Sequence, residues 1–129
     1  MPITSQIDKT KNLTVYTLTG ELTADEIQNA IKMYWEAREL TLHALWDVRS
    51  AKLANLESSD IEGITEFIDQ YRHRFDERKG GKSAVVASSD LQYGLSRILE
   101  TLYEIKDFPT QLQTFRLMDK AMDWLYQDK

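Results

Sequence analysis

The sequence predicts one α/β domain over residues 1–129, with a mainly parallel five-stranded sheet and four helices in the order ββαβαβαβα. Three strand-then-helix units recur along the chain, and this alternation is typical of a parallel sheet with helices packed against it. In the clearest unit, Gly80-Gly81 ends a basic helix, a short apolar run follows, and Ser88-Ser89-Asp90 opens the next helix. This order of a helix-end signal, an apolar run and a helix-start signal predicts a buried parallel strand leading into a helix.

The first two elements are predicted to form an antiparallel hairpin. Residues 3–8 alternate apolar and polar side chains, which predicts an edge strand, and residues 8–12 form a polar turn. Residues 13–19 are rich in β-branched and aromatic side chains, so they are predicted to be the second strand, which Gly20 ends.

Two capping boxes predict the first two helices. Thr23 with Glu26 opens a helix that runs to about Arg38, and Ser59 with Glu62 opens a second helix with an apolar stripe that extends to Phe75. Between the two helices, residues 42–48 form a short apolar strand, and residues 49–57 are predicted to be a loop.

The last elements are a strand at 82–88, a third helix capped by Ser89, a strand at 112–115 and a helix at 119–126. The Phe108-Pro109 pair ends the third helix. The apolar stripe of that helix comprises Leu91, Leu95, Ile98, Leu102 and Ile105. The predicted core contains Ile31, Leu45, Ile64, Val85, Leu95 and Ile98.

Composition excludes several functional classes. The chain has no cysteine, which excludes disulfides, thiol catalysis and thiolate metal sites. The N-terminus lacks a signal-peptide pattern, and no apolar run approaches the roughly 20 residues needed to span a bilayer, so we expect a cytoplasmic protein. A net charge of -5 argues against general nucleic-acid binding. One basic cluster is interpreted as a solvated helix end: Arg72, Arg74, Arg78, Lys79 and Lys82.

No enzymatic motif is complete, and we expect neither catalysis nor a cofactor nor a metal. Gly80-Gly81-Lys82-Ser83 lacks the P-loop spacing and precedes a strand rather than a helix. Asp47 ends a strand, but the acidic and lysine partners of a phosphoacceptor aspartate are missing, so Asp47 is interpreted as a hydrogen-bond acceptor that anchors a loop. His43 and His73 have no partner at metal-ligand or catalytic-triad spacing.

The ends of the parallel strands are the candidate anion or ligand site. Loops after neighbouring parallel strands converge on one edge of a sheet, where helix N-termini offer backbone N–H donors. This geometry is expected to bring together Arg49, Ser50, Ser88 and Ser89. Ordinary helix capping by the serines is the alternative interpretation.

The chain resembles a family of small bacterial proteins similar to the sporulation protein IIAA, in the STAS (sulfate-transporter and anti-sigma-factor antagonist) and Sec14 group. The resemblance covers nearly the whole chain. The segments that carry it are 45–49, the glycine pair within 78–83, 88–90 with 93–97, and Ala121 with Trp124-Leu125. It implies a STAS-like fold.

The resemblance also implies two classes of function. STAS proteins bind protein partners, and some are switched by serine phosphorylation, which here implies a non-enzymatic, regulatory binding module with Ser58 and Ser59 as the candidate partner or phospho-switch site. This binding module is the leading interpretation. The Sec14 side of the group implies the alternative, a carrier of a small apolar or phospholipid-like ligand. The identity of the partner is open, and a homodimer is one of the possibilities.

Overall fold

The protein is built around one five-stranded sheet with the strand order β1-β2-β3-β4-β5. The computed structural model describes residues 2–127. The strands are β1 (Ile3–Asp8), β2 (Leu13–Glu21), β3 (His43–Lys52), β4 (Lys82–Val86) and β5 (Gln111–Phe115). Strands β1 and β2 pair antiparallel, and all other neighbours pair parallel, which confirms the predicted fold class.

Four α-helices and one 3-10 helix pack on the two faces of the sheet. They are α1 (Ala24–Trp35), α2 (Ser58–Asp69), the 3-10 helix (Arg72–Arg78), α3 (Asp90–Ile105) and α4 (Met118–Leu125). Helices α1, α2 and α3 and the 3-10 helix bury their apolar sides against one face, the three-helix face. Helix α4 covers the opposite face, the α4 face.

The core follows the alternation of side chains along the central strands. Trp46 of β3 pairs in register with Val85 of β4, and both point to the three-helix face. Because successive side chains of a strand point to opposite faces, Leu45 and Val86 point to the α4 face. Five of the six predicted core residues are buried, and the sixth, Ile98, is only half-buried.

Two of the three predicted helix caps are confirmed. Thr23 accepts from the N–H of Glu26, and Ser89 accepts from the N–H of Gln92. The prediction that Ser59 caps α2 is wrong. The N-cap is Glu57, whose N–H donates to the Asp60 carboxylate at 2.8 Å, so the helix begins earlier and Ser59 lies inside its first turn.

The second and third strands are longer than predicted. Gly20 does not end β2, because it pairs with Ala51 of β3 and the strand continues to Glu21. Its φ of 73° is a conformation that glycine adopts readily. The region predicted as a loop from residue 49 continues β3 to Lys52, since a register shift between Thr17 and Thr19 restores pairing with β2. Ser50 therefore lies on a strand.

The apolar stripe that extends to Phe75 is not one continuous α-helix. Helix α2 ends at Asp69, and the chain tightens into the 3-10 helix. With three residues per turn, the 3-10 helix places Phe75 and Arg78 on the same side, and both are buried.

The ends of two helices also differ from the prediction. Helix α1 ends at Trp35, one turn before Arg38. Leu91 and Ile105, predicted within the stripe of α3, are 47% and 72% exposed, because they lie at the two ends of the helix, away from its packed middle.

Candidate functional site

A cavity of about 100 Å³ lies between the sheet and helices α1, α2 and α3. Its wall is mostly aliphatic and aromatic, with Ile31, Ile64 and Leu95 from the helices and Trp46 and Val85 from the strands. Apolar cavities of this kind stay dry, and an engineered one of about 150 Å³ binds benzene. The cavity can therefore accept an apolar group of modest size.

Within the described part of the chain, Arg78 is the one charged side chain in the cavity wall, and it is only 1% exposed. Its Nε donates to the carbonyl of Leu42 and its Nη2 to the carbonyl of Lys82, both at 3.0 Å. The guanidinium lies 5.1 Å from the ring centre of Tyr34 and 5.5 Å from that of Trp35. Two carbonyls and two rings thus fix its position.

Among residues 2–127, no carboxylate forms an ion pair with the guanidinium of Arg78. Within residues 2–127, seven ion pairs join arginine or lysine to a carboxylate, and none of them involves Arg78. Burial lowers the pKa of Arg78, because the charged form is disfavoured away from water. The cavity wall therefore holds a positive charge that is not paired with a carboxylate of residues 2–127.

Two tyrosines, Tyr34 and Tyr103, and two serines, Ser83 and Ser96, also contribute polar groups to the wall. The Tyr34 hydroxyl donates to the carbonyl of Thr41 at 2.8 Å. Burial raises the pKa of Tyr103 to about 12, although the nearby charge of Arg78 acts in the opposite direction. Both hydroxyls are therefore neutral at physiological pH, and Arg78 alone supplies charge.

At the strand ends, the structure brings three of the four predicted anion-site residues together. Ser88 Oγ donates to the carbonyl of Arg49 at 3.2 Å, and Ser89 caps α3 beside it. The Gln92 side chain accepts from the N–H groups of Ser88 and Ser89 and donates to the carbonyl of Ala51 at 2.7 Å. Ser50 lies nearby in the chain and is exposed.

The charged side chains of Arg49 and Arg116 at this edge already have partners. Arg49 contacts both carboxylate oxygens of Asp47 at 2.9 Å, and the Arg49 N–H also donates to Asp47. Burial would raise the pKa of Asp47, but the hydrogen bonds and charge of Arg49 lower it overall. Arg116, which the sequence analysis did not select, donates to Asp90 at 2.9 Å and lies over the Tyr93 ring. Anion binding at this edge stays a prediction.

The candidate phospho-switch serines lie on a different element. Ser58 and Ser59 form the first turn of α2, and both are exposed. Asp60 follows directly, with its carboxylate held by the N–H of Glu57. The geometry makes both hydroxyls accessible.

Sequence reasoning missed the cavity and misjudged Arg78, which was interpreted as part of a solvated helix end. One local signal was available in the Gly80-Gly81 pair. A Cβ at Gly81 would collide with the carbonyl oxygen of Leu42, so only glycine allows this close approach. The same approach places Arg78 against the start of β3.

Within residues 2–127, no cluster of three or more histidine, aspartate or glutamate side chains is arranged to hold a metal ion. None of the helices in this part of the chain has the length and apolar character needed to cross a membrane.

Comparison with known proteins supports the fold. No protein-family model matches the sequence, and no curated protein matches it. The structure is similar to the crystal structure of an uncharacterised protein of the DUF3478 family, with a SpoIIAA-like fold, from Shewanella loihica PV-4. The two share 17% identity with a TM-score of 0.53, over 95% of this chain and 91% of the other. The chain therefore has a SpoIIAA-like fold, as the sequence resemblance implied.

Proposed function

We propose that the protein is a non-enzymatic carrier of a small ligand with an apolar body, bound in the cavity between the sheet and helices α1 to α3. The observation that carries this proposal is the apolar cavity itself, inside the buried core of the three-helix face. Protein interiors usually leave few voids larger than a water molecule.

An empty cavity has an energetic cost that a ligand would remove. At roughly 24 cal/mol per Å³, a void of about 100 Å³ costs on the order of 2 kcal/mol. An apolar ligand restores the missing contacts without requiring hydrogen bonds from the aliphatic wall. The site therefore favours an apolar group over water.

The first experiment is native mass spectrometry of the purified protein, followed by denaturation and identification of any released small molecule. We expect a bound species of greater mass than the chain alone. Ser96 lines the cavity from α3, so Ser96→Leu should fill the space and reduce the bound fraction. Thr101→Leu adds similar volume on the exposed side of the same helix and should leave binding unchanged.

Two results would contradict the proposal. One is a protein that carries no small molecule and binds none from a panel of short-chain acids and alcohols. The other is an equal loss of ligand in Ser96→Leu and Thr101→Leu, which would place the binding site outside the cavity.

A second function, recognition of a protein partner at the first turn of α2, is favoured by the exposure of Ser58 and Ser59. A phosphate there would meet free backbone N–H groups and the positive end of the helix dipole. Pull-down of partners with Ser58→Asp should then differ in amount from wild type. Asn55→Asp adds the same charge just before the helix and serves as the control. Identical recoveries with all three proteins would exclude the switch.

A further inference from the structure

We propose that Arg78 anchors a carboxylate, so that the ligand of the cavity is an amphipathic monocarboxylic acid with its acid group at Arg78 and its chain along the apolar wall. This inference rests on the proposed function and names the ligand class for the same site. Its basis is the buried side chain of Arg78, which lines the cavity and forms no ion pair with a carboxylate of residues 2–127.

The hydrogen-bonding capacity of Arg78 supports the assignment. A guanidinium carries five N–H donors in a planar fork. In this structure Nε and Nη2 each bond one backbone carbonyl, so two donors are used. The remaining N–H groups can meet the two oxygens of a carboxylate, which is the geometry that arginine recognises best.

A purely structural role explains only part of this arrangement. The two carbonyl bonds tie the end of the 3-10 helix to β3 and β4, and the rings of Tyr34 and Trp35 shield the plane of the guanidinium. Neutral groups could do the same without the expense of burying a charge. A bound carboxylate supplies the missing negative charge.

The apolar wall and the single charge define the ligand class. One guanidinium balances one negative charge, which favours a carboxylate over a doubly charged phosphate monoester. The rest of the wall is largely aliphatic and aromatic, which favours a hydrocarbon chain over a sugar or a peptide. Trp35 and Trp46 line the cavity and provide a fluorescence signal for occupancy.

The test compares matched pairs of probes that differ only in the acid group: hexanoate with 1-hexanol, and octanoate with 1-octanol. Tryptophan fluorescence and amide NMR shifts are followed in titrations of the wild-type protein. We expect the carboxylate of each pair to bind about tenfold or more tightly than the alcohol, as a charge-assisted hydrogen bond implies.

Two arginine variants assign the preference to a residue. Arg78→Met keeps the apolar stem of the side chain without its charged guanidinium, and it should bring the affinities of acid and alcohol to within about threefold of each other. Arg72→Met removes the same charge from an exposed site on the same 3-10 helix, and it should keep the preference of the wild type.

If Arg78→Met does not fold, a measurement on the wild-type protein tests whether Arg78 contacts the carboxylate. With ¹⁵N-labelled arginine, the Nε–H resonance of Arg78 should shift with hexanoate and stay in place with 1-hexanol. Equal affinities for acid and alcohol, or an Arg78 resonance that does not shift, would contradict the role of Arg78 as carboxylate anchor. Either result would still be compatible with an apolar ligand in the cavity. Absence of binding by all four probes would instead remove the proposed function and, with it, this inference.

Discussion

The two faces of the sheet are packed in different ways, although the same strands supply both. The three-helix face is covered by α1, α2, α3 and the 3-10 helix, and it contains both the cavity and the buried charge of Arg78. The α4 face is covered by one short helix over a small cluster: Leu13, Leu45, Ala84, Val86, Ala121 and Leu125.

Side-chain size accounts for much of the difference. On the α4 face, Ala84 and Ala121 are fully buried, so helix and sheet can approach closely. On the three-helix face, large rings meet, with Tyr16 stacked on Trp46 at 4.3 Å and Trp35 on Phe75 at 4.6 Å. Of these rings, Trp35 and Trp46 line the cavity. The comparison indicates that one face stabilises the fold while the other also has room for a ligand.

The largest expected effect comes from truncating one leucine on each face. Leu45→Ala and Leu95→Ala should each lower the free energy of unfolding by about 2–5 kcal/mol. Leu45 should lie near the upper value, since it has no exposed surface, while Leu95 already borders the cavity and loses fewer contacts. Denaturant unfolding measures both. A near-zero cost for Leu95→Ala would contradict its place in the core, and equal costs would remove the contrast between the faces.

A sharper comparison adds one methylene group to neighbouring valines. Val86→Ile overpacks the α4 face and should cost about 1–3 kcal/mol. Val85→Ile extends into the cavity and should be neutral or stabilising by up to about 1 kcal/mol. Thermal unfolding of the two variants gives the difference directly. Equal destabilisation would show that the cavity cannot accept added volume.

Two serines at helix starts in the three-helix layer should differ by about 1 kcal/mol. Ser89 caps α3 and accepts from the N–H of Gln92, so Ser89→Ala should lower the free energy of unfolding by about that amount. Ser59 lies inside the first turn of α2, where Glu57 is the N-cap, so Ser59→Ala should have almost no effect. Urea unfolding of both variants tests this. A comparable loss of unfolding free energy in Ser59→Ala would show that Ser59 does act as a helix cap.

The smallest expected effect is a pH dependence from His43, which lies against the Tyr126 ring beyond α4. Burial, with the charges of Arg78 and Lys82, lowers the pKa of His43 below its ordinary value of 6.5. The unfolded chain therefore binds the proton first as pH falls. The contribution of neutral His43 to the free energy of unfolding is fully present above about pH 6.5. It decreases as pH drops below that value toward the pKa of His43 in the folded state.

The measurement is the free energy of unfolding between about pH 7.5 and 5.5, the range in which a histidine charges. His43→Gln should flatten this dependence, whereas His73→Gln, at an exposed position, should keep the wild-type profile. A wild-type profile that stays flat, or one that His43→Gln leaves unaltered, would contradict the assignment.

The fold class follows from the sequence because its signals are local. Thr23 with Glu26 and Ser89 with Gln92 mark helix starts within four residues, and both caps are confirmed. The β-branched and aromatic residues after position 13 mark a strand in the same local way. Alternation of such elements leaves few alternatives to a parallel sheet with helices on its faces.

The ends of strands and helices were less predictable than the elements themselves, because strand pairing and helix hydrogen bonding compete with the local preferences of single residues. Gly20 reads as a strand terminator, yet β2 continues through it beside β3. Ser59 has an ideal capping sequence, yet Glu57 and Asp60 begin the helix earlier. In the first case strand pairing, and in the second a hydrogen bond at the helix start, outweighed a local residue preference of about 1 kcal/mol or less.

The cavity and the burial of Arg78 were decided by the tertiary structure. In sequence, Arg78 belongs to a basic segment that is indistinguishable from a solvated helix end. Its burial depends on a 3-10 turn, on the close approach of Gly81 to Leu42, and on a hydrogen bond across 36 positions of the chain. Local sequence determines which elements form, but only the packing of distant elements determines where a gap remains and which charge faces it.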